Sequence, residues 1–490
     1  MRISFGTVPT LAAAALLTTA LSAQQPASPA PSDDTTAQAA PVHANSKVRI
    51  VRLSEVKGEV SIDRSTGQGF EQAIANIPII ENAQLKTVTG AAEVEFEDNS
   101  TLRVGPDSLV TFPKLEMQPD GVKLSTIALQ QGLVYVSLLN TKDEFTLAFG
   151  QQKVHLQPSS HIRLQVEPSE ARLAVFEGSA RVEGPAGTLE AAKKKTLVFN
   201  LADPNAMVVA KNVEPDPFDN WDHQSSDYHK HYTGNSALAG SPYSYGASDL
   251  MYYGNFVNAG GCGTMWQPYF VSAGWDPFAN GMWAYYPGAG YSWVSPYPWG
   301  WMPFHYGNWV SCPGMGWGWQ PGGAWDGLGN QPTALGTGGM PVKPVKPPQE
   351  PGGRGYVVVN QKPLASSFGS GDSFVFRKDS AGFGVPRGSL GKLDSYSREA
   401  IHHGSSSIPV YSIYASGSQG GHSHVAQAGM VESPHPGVAP PSYQNGAGSS
   451  MERSAGGSQH GYSMSAPNSA GHMGAPGGSP SGSGSGSSHK

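Results

Sequence analysis

The sequence predicts an all-β protein built from two unequal parts, and three observations carry that expectation. From residue 48 to about 213, short runs of β-favouring residues alternate with turn residues, and no sustained 3.6-residue apolar period interrupts them. All eleven tryptophans lie between Trp221 and Trp325, in a stretch that carries no Lys or Arg from residue 232 to 330. Within that stretch a pattern recurs three times: a Gly, an aromatic two residues later, and a Trp ten residues after the aromatic. The pairs are Phe256 with Trp266, Trp283 with Trp293, and Trp309 with Trp319. Such spacing is an internal repeat.

The chain begins with Arg2 and an apolar run over residues 8–21, ending in Leu21-Ser22-Ala23. This layout predicts a secretory signal cleaved after Ala23, within residues 1–23. The run is shorter than the roughly 20 residues that a spanning helix needs. No cysteine ends it for a lipid anchor, and no other stretch predicts a membrane helix in the mature form. Residues 24–46 are rich in Ala, Pro, Ser and Thr, a disordered leader.

Residues 47–213 then read as one all-β domain. Ala92-Glu93-Val94-Glu95-Phe96-Glu97 alternates, which predicts Val94 and Phe96 buried and three glutamates facing water. Asp98-Asn99-Ser100 predicts the hairpin turn that follows, because Asn tolerates positive φ. Further strands are expected at 133–138, 144–149, 154–156, 162–166, 173–176 and 180–182, punctuated by Gly132, Gly150, Gly178 and Gly184. Residues 214–231 are acidic and then His-rich. They predict a solvated linker, with a weaker alternative in which His229 and His231 bind a metal from one side of an extended segment.

In the aromatic block, residues 232–330, each repeat predicts one small β-hairpin carrying Trp on at least one face. Phe256, Trp266, Trp283, Trp293, Trp299, Trp301, Trp309 and Trp319 are the candidates for a binding surface or a repeat core. A turn-rich block with few aliphatics must bury something, so more than half of its tryptophans are expected inside. Cys262 and Cys312 are the only cysteines, and in an exported protein an even pair invites a disulfide, which would tie the first repeat to the third; the alternative is two buried free thiols. Residues 331–413 read as a linker with a few short strands, at 355–359 and 373–377. The Ser/Gly/His-rich residues 414–490 read as a long disordered tail.

Two resemblances sit on particular residues. Val56-Lys57-Gly58-Glu59-Val60, Leu85-Lys86-Thr87 and Gly90-Ala91-Ala92-Glu93-Val94 resemble the FecR-type domain. So do Asp98-Asn99-Ser100-Thr101-Leu102-Arg103, Gln131-Gly132-Leu133-Val134-Tyr135-Val136 and Val175-Phe176-Glu177-Gly178-Ser179-Ala180-Arg181-Val182. Asn82 and Asn99 stand where that family usually has glycine, and Asn preserves a positive-φ turn. Pro298-Trp299-Gly300-Trp301-Met302-Pro303-Phe304-His305-Tyr306-Gly307-Asn308-Trp309 resembles a bacterial domain of uncharacterised function that often follows exported FecR-type domains. The beginning of that domain is matched by Tyr253-Gly254-Asn255-Phe256, with Phe in place of its Trp. The first resemblance implies an extracytoplasmic β fold. With only a signal before it, it implies no anti-sigma segment.

Together these readings predict an exported, non-enzymatic cell-envelope protein, periplasmic or secreted. It would combine a FecR-like interaction or scaffold module with an aromatic repeat domain for structural, glycan or protein binding. An envelope protein or a polysaccharide is the expected partner, and the oligomeric state is left open. The alternative is an envelope signalling component related to FecR-type sigma-factor regulators. The net charge of −6 and the lack of a basic stripe argue against nucleic acid. No nucleophile elbow, phosphate loop or zinc-protease helix is present, and no cofactor or metal is expected. Asp249, Asp276 and Asp326 are the only acids of the block. Ser248-Asp249 and Asp276-Pro277 read as turns.

Overall fold

The structure is a computed structural model and describes residues 48–139, 141–233, 238, 243–349, 355–359 and 373–409. The expected signal with its cleavage after Ala23, the leader over 24–46 and the tail over 414–490 lie outside the described residues. The described chain is mostly strand, as the alternation predicts, and all of it belongs to one compact unit.

Seventeen strands form two sheets that share one member. The first sheet runs Pro78–Ile79, Val51–Lys57, Ala91–Glu95, Thr101–Val104, the second half of Lys123–Ser137, His161–Val166, Glu170–Glu177, Lys195–Asn200, Met207–Ala210. The second runs Glu71–Gln72, Val60–Asp63, Gln84–Thr87, Leu109–Met117, the first half of Lys123–Ser137, Glu144–Phe149, Gln152–Leu156, Ser179–Gly184, Gly187–Ala192. Apolar side chains from both sheets make one core, including Leu53, Val94, Phe112, Val136, Phe145 and Leu173. Gly132, expected between strands, is instead the corner inside Lys123–Ser137 where the chain passes from one sheet to the other. Its φ is +98°, and a Cβ there would lie 2.2 Å from Ser108 Oγ. Only glycine bends a strand so sharply against its neighbour. Asn82 and Asn99 both take φ of 66°, as the turn reading requires.

The three repeats are three hairpins: Gly254–Ala259 with Gly263–Pro268, Gly281–Tyr286 with Gly290–Val294, and Asn308–Cys312 with Gly316–Gln320. The ten-residue spacing has a simple cause. It places Phe256 opposite Trp266, Trp283 opposite Trp293 and Trp309 opposite Trp319 across each ladder. Each chain reversal is closed by an i to i+3 bond: Cys262 N to Ala259 O, Ala289 N to Tyr286 O, Met315 N to Cys312 O. Gly261, Gly288 and Gly314 supply the positive φ at the third turn position, with Pro287 and Pro313 before the last two, the chemistry of a type II turn. The first and third hairpins join through Trp266 and Trp319, and the second pairs with Tyr356–Val359.

Among the described residues, three α-helices depart from the all-strand expectation. The stretch expected as a solvated linker contains α1 (Asp219–Tyr232), with Trp221, Asp222, Ser225, Tyr228 and His229 buried. Those positions, with Tyr232, trace one helical face. α2 (Ala247–Tyr253) opens the aromatic block, so Ser248-Asp249 is helical rather than a turn. α3 (Leu393–His403) follows the strand Ser373–Arg377 in the region read as a linker.

The aromatic block does not pack as a separate body. Tyr245, Ala284, Tyr286, Val294, Trp301 and Leu328 belong to the same buried cluster as the apolar residues of the two sheets. Polar ties reinforce that contact. Asn76 Nδ2 donates to Tyr297 O at 2.6 Å and Ser295 O at 3.1 Å, and Tyr286 Oη donates to Pro78 O at 2.5 Å. Arg64 donates to Tyr285 O and stacks on the rings of Tyr286 and Tyr356.

Candidate functional site

The alternation in Ala91–Glu95 does turn Glu93 and Glu95 away from Val94, yet both carboxylates are completely buried. The reason is what covers that face. The neighbouring strands set Arg52 opposite Glu95 and Arg103 opposite Glu93, at 2.9 Å in each case. α1 adds Asp222, 2.7 Å from Arg103 and 2.7 Å from His161, and His229, 2.8 Å from Glu93. α2 adds Asp249, 2.6 Å from Arg52. Arg387 then arrives from the far end of the chain. Its Nε and Nη2 grip both oxygens of Asp249 at 2.8 and 2.7 Å, and its Nη1 reaches Glu93 at 2.6 Å.

Four carboxylates thus meet three guanidiniums out of water. Burial alone raises the Glu93 carboxyl, but His229, Arg387 and Arg103 outweigh it and hold it well below the usual range. Burial likewise raises Asp249, with Arg387 and Arg52 bringing it below its ordinary value. Asp222 is lowered against its own burial by His161 and Arg103. Burial and the neighbouring Asp249 push Tyr228 well up, so its hydroxyl stays a donor to that carboxylate, at 2.8 Å. Glu93, Asp222 and Asp249 are held as ions, so each needs its partners in place.

One chain of contacts has the residue types of a nucleophile, base and acid. Ser248 Oγ lies 3.0 Å from His229 Nδ1, and His229 Nε2 lies 2.8 Å from Glu93 Oε1. Ser248 is fully buried, however, and Glu93 is already shared among Arg103, Arg387 and Ser54. A reacting carbonyl needs a position beside the hydroxyl and donors for its oxyanion. Here Ser248 is enclosed in the junction, with its hydroxyl on His229 Nδ1. A surface groove of about 440 Å³ lies elsewhere, lined by Asp107, Glu167 and Asp216 among apolar and amide side chains, with no Ser, His, Cys or Lys.

The residues singled out in the aromatic block come together as core. Trp266, Trp283, Trp293, Trp299, Trp301, Trp309 and Trp319 are buried, as are Trp221 and Trp275, while Trp317, Trp325 and Phe256 are half-buried. Rings meet rings throughout: Tyr297 stacks on Trp299 at 5.0 Å, Trp266 packs on Trp299 at 4.9 Å, and Trp283 meets Trp293 edge-on at 5.1 Å. No Trp is exposed, so no row of open indoles exists for a sugar face. Cys262 and Cys312 are bonded, which ties the turn of the first hairpin to the third. Asp276 Oδ1 accepts the Phe278 amide at 2.9 Å, a local turn bond, and burial raises the Asp326 carboxyl.

The metal alternative is overturned by α1. In a helix His229 and His231 do not share a side: His229 is buried against Glu93 and Ser248, and His231 is exposed. Among the described residues no group of three or more His, Cys, Asp or Glu has metal-binding geometry. Sequence reasoning missed the junction itself. A signal was present: Trp221, Ser225, Tyr228 and Tyr232 recur at helical spacing, and Asp249 is a solitary acid beside no basic residue.

Comparison with known proteins adds an address for one segment. Residues 247–331 match DUF6600, a family of unknown function; they include α2 and all three hairpins. Similar solved structures include two crystal structures, at 1.65 and 2.50 Å, of a provisionally assigned anti-sigma factor from Parabacteroides distasonis ATCC 8503. Both are 13% identical to this chain, with TM-scores of 0.24 and 0.25, and cover 28% and 30% of it. This chain spans 63% of the first and 71% of the second. No curated protein matches the sequence.

Proposed function

We propose that the protein is an exported, non-enzymatic component of a bacterial cell envelope, acting as a scaffold for protein contacts. The observation that carries this reading is the enclosure of the repeat tryptophans, which spends the aromatic payload on holding hairpins together rather than on a sugar-stacking surface. The closed Cys262–Cys312 bond fits an oxidising compartment. The buried Ser248 hydroxyl supports a structural role for the one triad-like contact. On this reading the FecR-like strands and the aromatic block act as a single body, and exposed strand edges such as Met207–Ala210 offer places for β-augmentation.

Fractionating cells, sequencing the mature N-terminus and capturing partners from the envelope fraction tests the proposal. A form starting near Gln24 that retains a protease-sensitive partner is the expected result. Capture of polysaccharide alone would overturn the scaffold reading in favour of glycan binding. A membrane-held form that keeps Met1 would favour signalling in the manner of FecR-type regulators.

A further inference from the structure

Residues 373–409 are attached to the rest of the protein in the way a bound peptide is. Ser373–Arg377 and Ser405–Pro409 pair only with each other, and α3 lies between them in sequence. No described strand of the body continues into this strap. It is held by apolar residues that join the aromatic core, Phe376, Ala381, Val385, Leu393 and Ala400, by Ser397 Oγ and Asp379 Oδ1, which accept the Phe270 and Ser272 amides, by contacts to its backbone, and by one buried ionic anchor. Tyr253 Oη donates to Val385 O at 2.7 Å, and Tyr252 Oη donates to Pro386 O at 3.3 Å while accepting the Leu390 amide at 3.0 Å. Trp299 Nε1 donates to Ala381 O at 2.7 Å, and the Ala381 amide bonds Phe270 O at 3.2 Å.

The anchor is Arg387, in the sequence Val385-Pro386-Arg387-Gly388. Its guanidinium has a bidentate carboxylate in Asp249, a second carboxylate in Glu93, the Ser54 carbonyl at 3.1 Å, and the Tyr228 ring 5.1 Å from its centre. This is the full recognition set for an arginine: fork, second anion, neutral acceptor and aromatic wall. Gly388 takes φ of +69° beside Tyr228, which lets the backbone turn away at once.

We infer that this pocket is a binding site for an arginine carried on a tight turn, here closed by Ser389 N to Pro386 O, and that residues 373–409 fill it as a built-in ligand. The inference deepens the reading of the protein as a scaffold for protein contacts and rests on it. α2 supplies Asp249, Tyr252 and Tyr253, and the two sheets supply Glu93 and Ser54, so the pocket exists only where the two parts meet. A tethered ligand competes at an effective concentration on the order of millimolar, so the cis strap excludes a free copy of itself.

The test uses the full chain and a fluorescent synthetic peptide of residues 373–409. Wild-type protein is expected to take up little peptide. The Arg387→Ala protein, whose own strap has lost its anchor, is expected to bind the wild-type peptide at least about tenfold more tightly than an Arg387→Ala or Arg387→Lys peptide. A folded Arg387→Ala protein that ignores the wild-type peptide, or binds all three peptides alike, would overturn the inference. If that variant does not fold, hydrogen exchange on the wild-type chain decides. Block release of residues 376–403 ahead of the sheets supports a separable strap, and protection equal to that of Glu170–Glu177 rejects it. Loss of peptide binding with envelope-partner capture intact would remove this inference alone. Loss of partner capture would remove the scaffold reading.

Discussion

His305 and the junction carboxylates respond to acid in separate windows. Burial pulls the His305 imidazole down to about 4, partly opposed by its contact with Trp301 O at 2.9 Å. Below the ordinary histidine value the unfolded chain takes a proton that the folded chain refuses. Stability is therefore full above about 6.5 and is lost as pH falls from there to about 4, by about 3 kcal/mol. Urea midpoints for wild type and His305→Phe should diverge in slope across that window, the variant being the flatter. An unchanged slope would mean that another group titrates there. Glu93, Asp222 and Asp249 are lowered instead, so their contribution is present above the ordinary carboxylate range and is lost only below about 4, as pH passes through their folded values. None of this was legible from the strand pattern. Glu93 looked wet because its partners His229 and Arg387 lie 136 and 294 residues further on. Alternation gives the face a residue takes, and distant chain decides whether that face stays in water.

The hairpins were legible because their cause is local. A repeat of aromatic, ten residues, Trp can only mean facing partners in a short hairpin, and the Gly before each pair has an equally local reason. A Cβ at Gly254, Gly281 or Gly307 would fall 2.4, 2.1 or 2.6 Å from an atom of the facing Trp266, Trp293 or Trp319. The indole of one strand lies over the bare backbone of the other. Alanine at Gly281 should cost about 3 kcal/mol or more by overpacking, and at Gly307 more still, because its φ is +80°. Gly260→Ala, with nothing within 4 Å, should stay within about 0.5 kcal/mol in thermal unfolding. Equal losses at Gly260 and Gly281 would defeat the steric account. The clasp acts on the same element. Cys262 and Cys312 are 50 residues apart, so replacing both with Ser should lower stability by about 4 kcal/mol if the loop constraint dominates. Dithiothreitol should shift the wild type to match. α1 was the harder element, since its buried face is made of Trp, Ser and Tyr among acids and histidines, a face that reads as a polar connector until its spacing is counted.

At the scale of the whole molecule, two sequence textures share one packed core. The boundary that composition draws near residue 213 is real in the residues and absent in the packing. Trp301, Tyr286 and Val294 complete the core of the two sheets, and Arg52 joins Glu95, Asp249, Asn76 Oδ1 and Pro298 O in one contact set. Exposing one part would strip partners from buried ions of the other, which costs far more than either part gains by moving alone. The chain offers its own probe of this, because every tryptophan lies between Trp221 and Trp325, while most of the strand lies between Val51 and Ala210. Ten of the eleven indoles lie in the aromatic block, so fluorescence follows mainly that block, and far-ultraviolet circular dichroism follows mainly the two sheets. Their midpoints in urea should coincide, and Arg52→Leu should lower both together by about 3–5 kcal/mol, since it leaves Glu95 and Asp249 short of a buried partner. Fluorescence and dichroism transitions that separate in the wild type would mean two domains touching rather than one core shared, and the junction would then be an interface that opens.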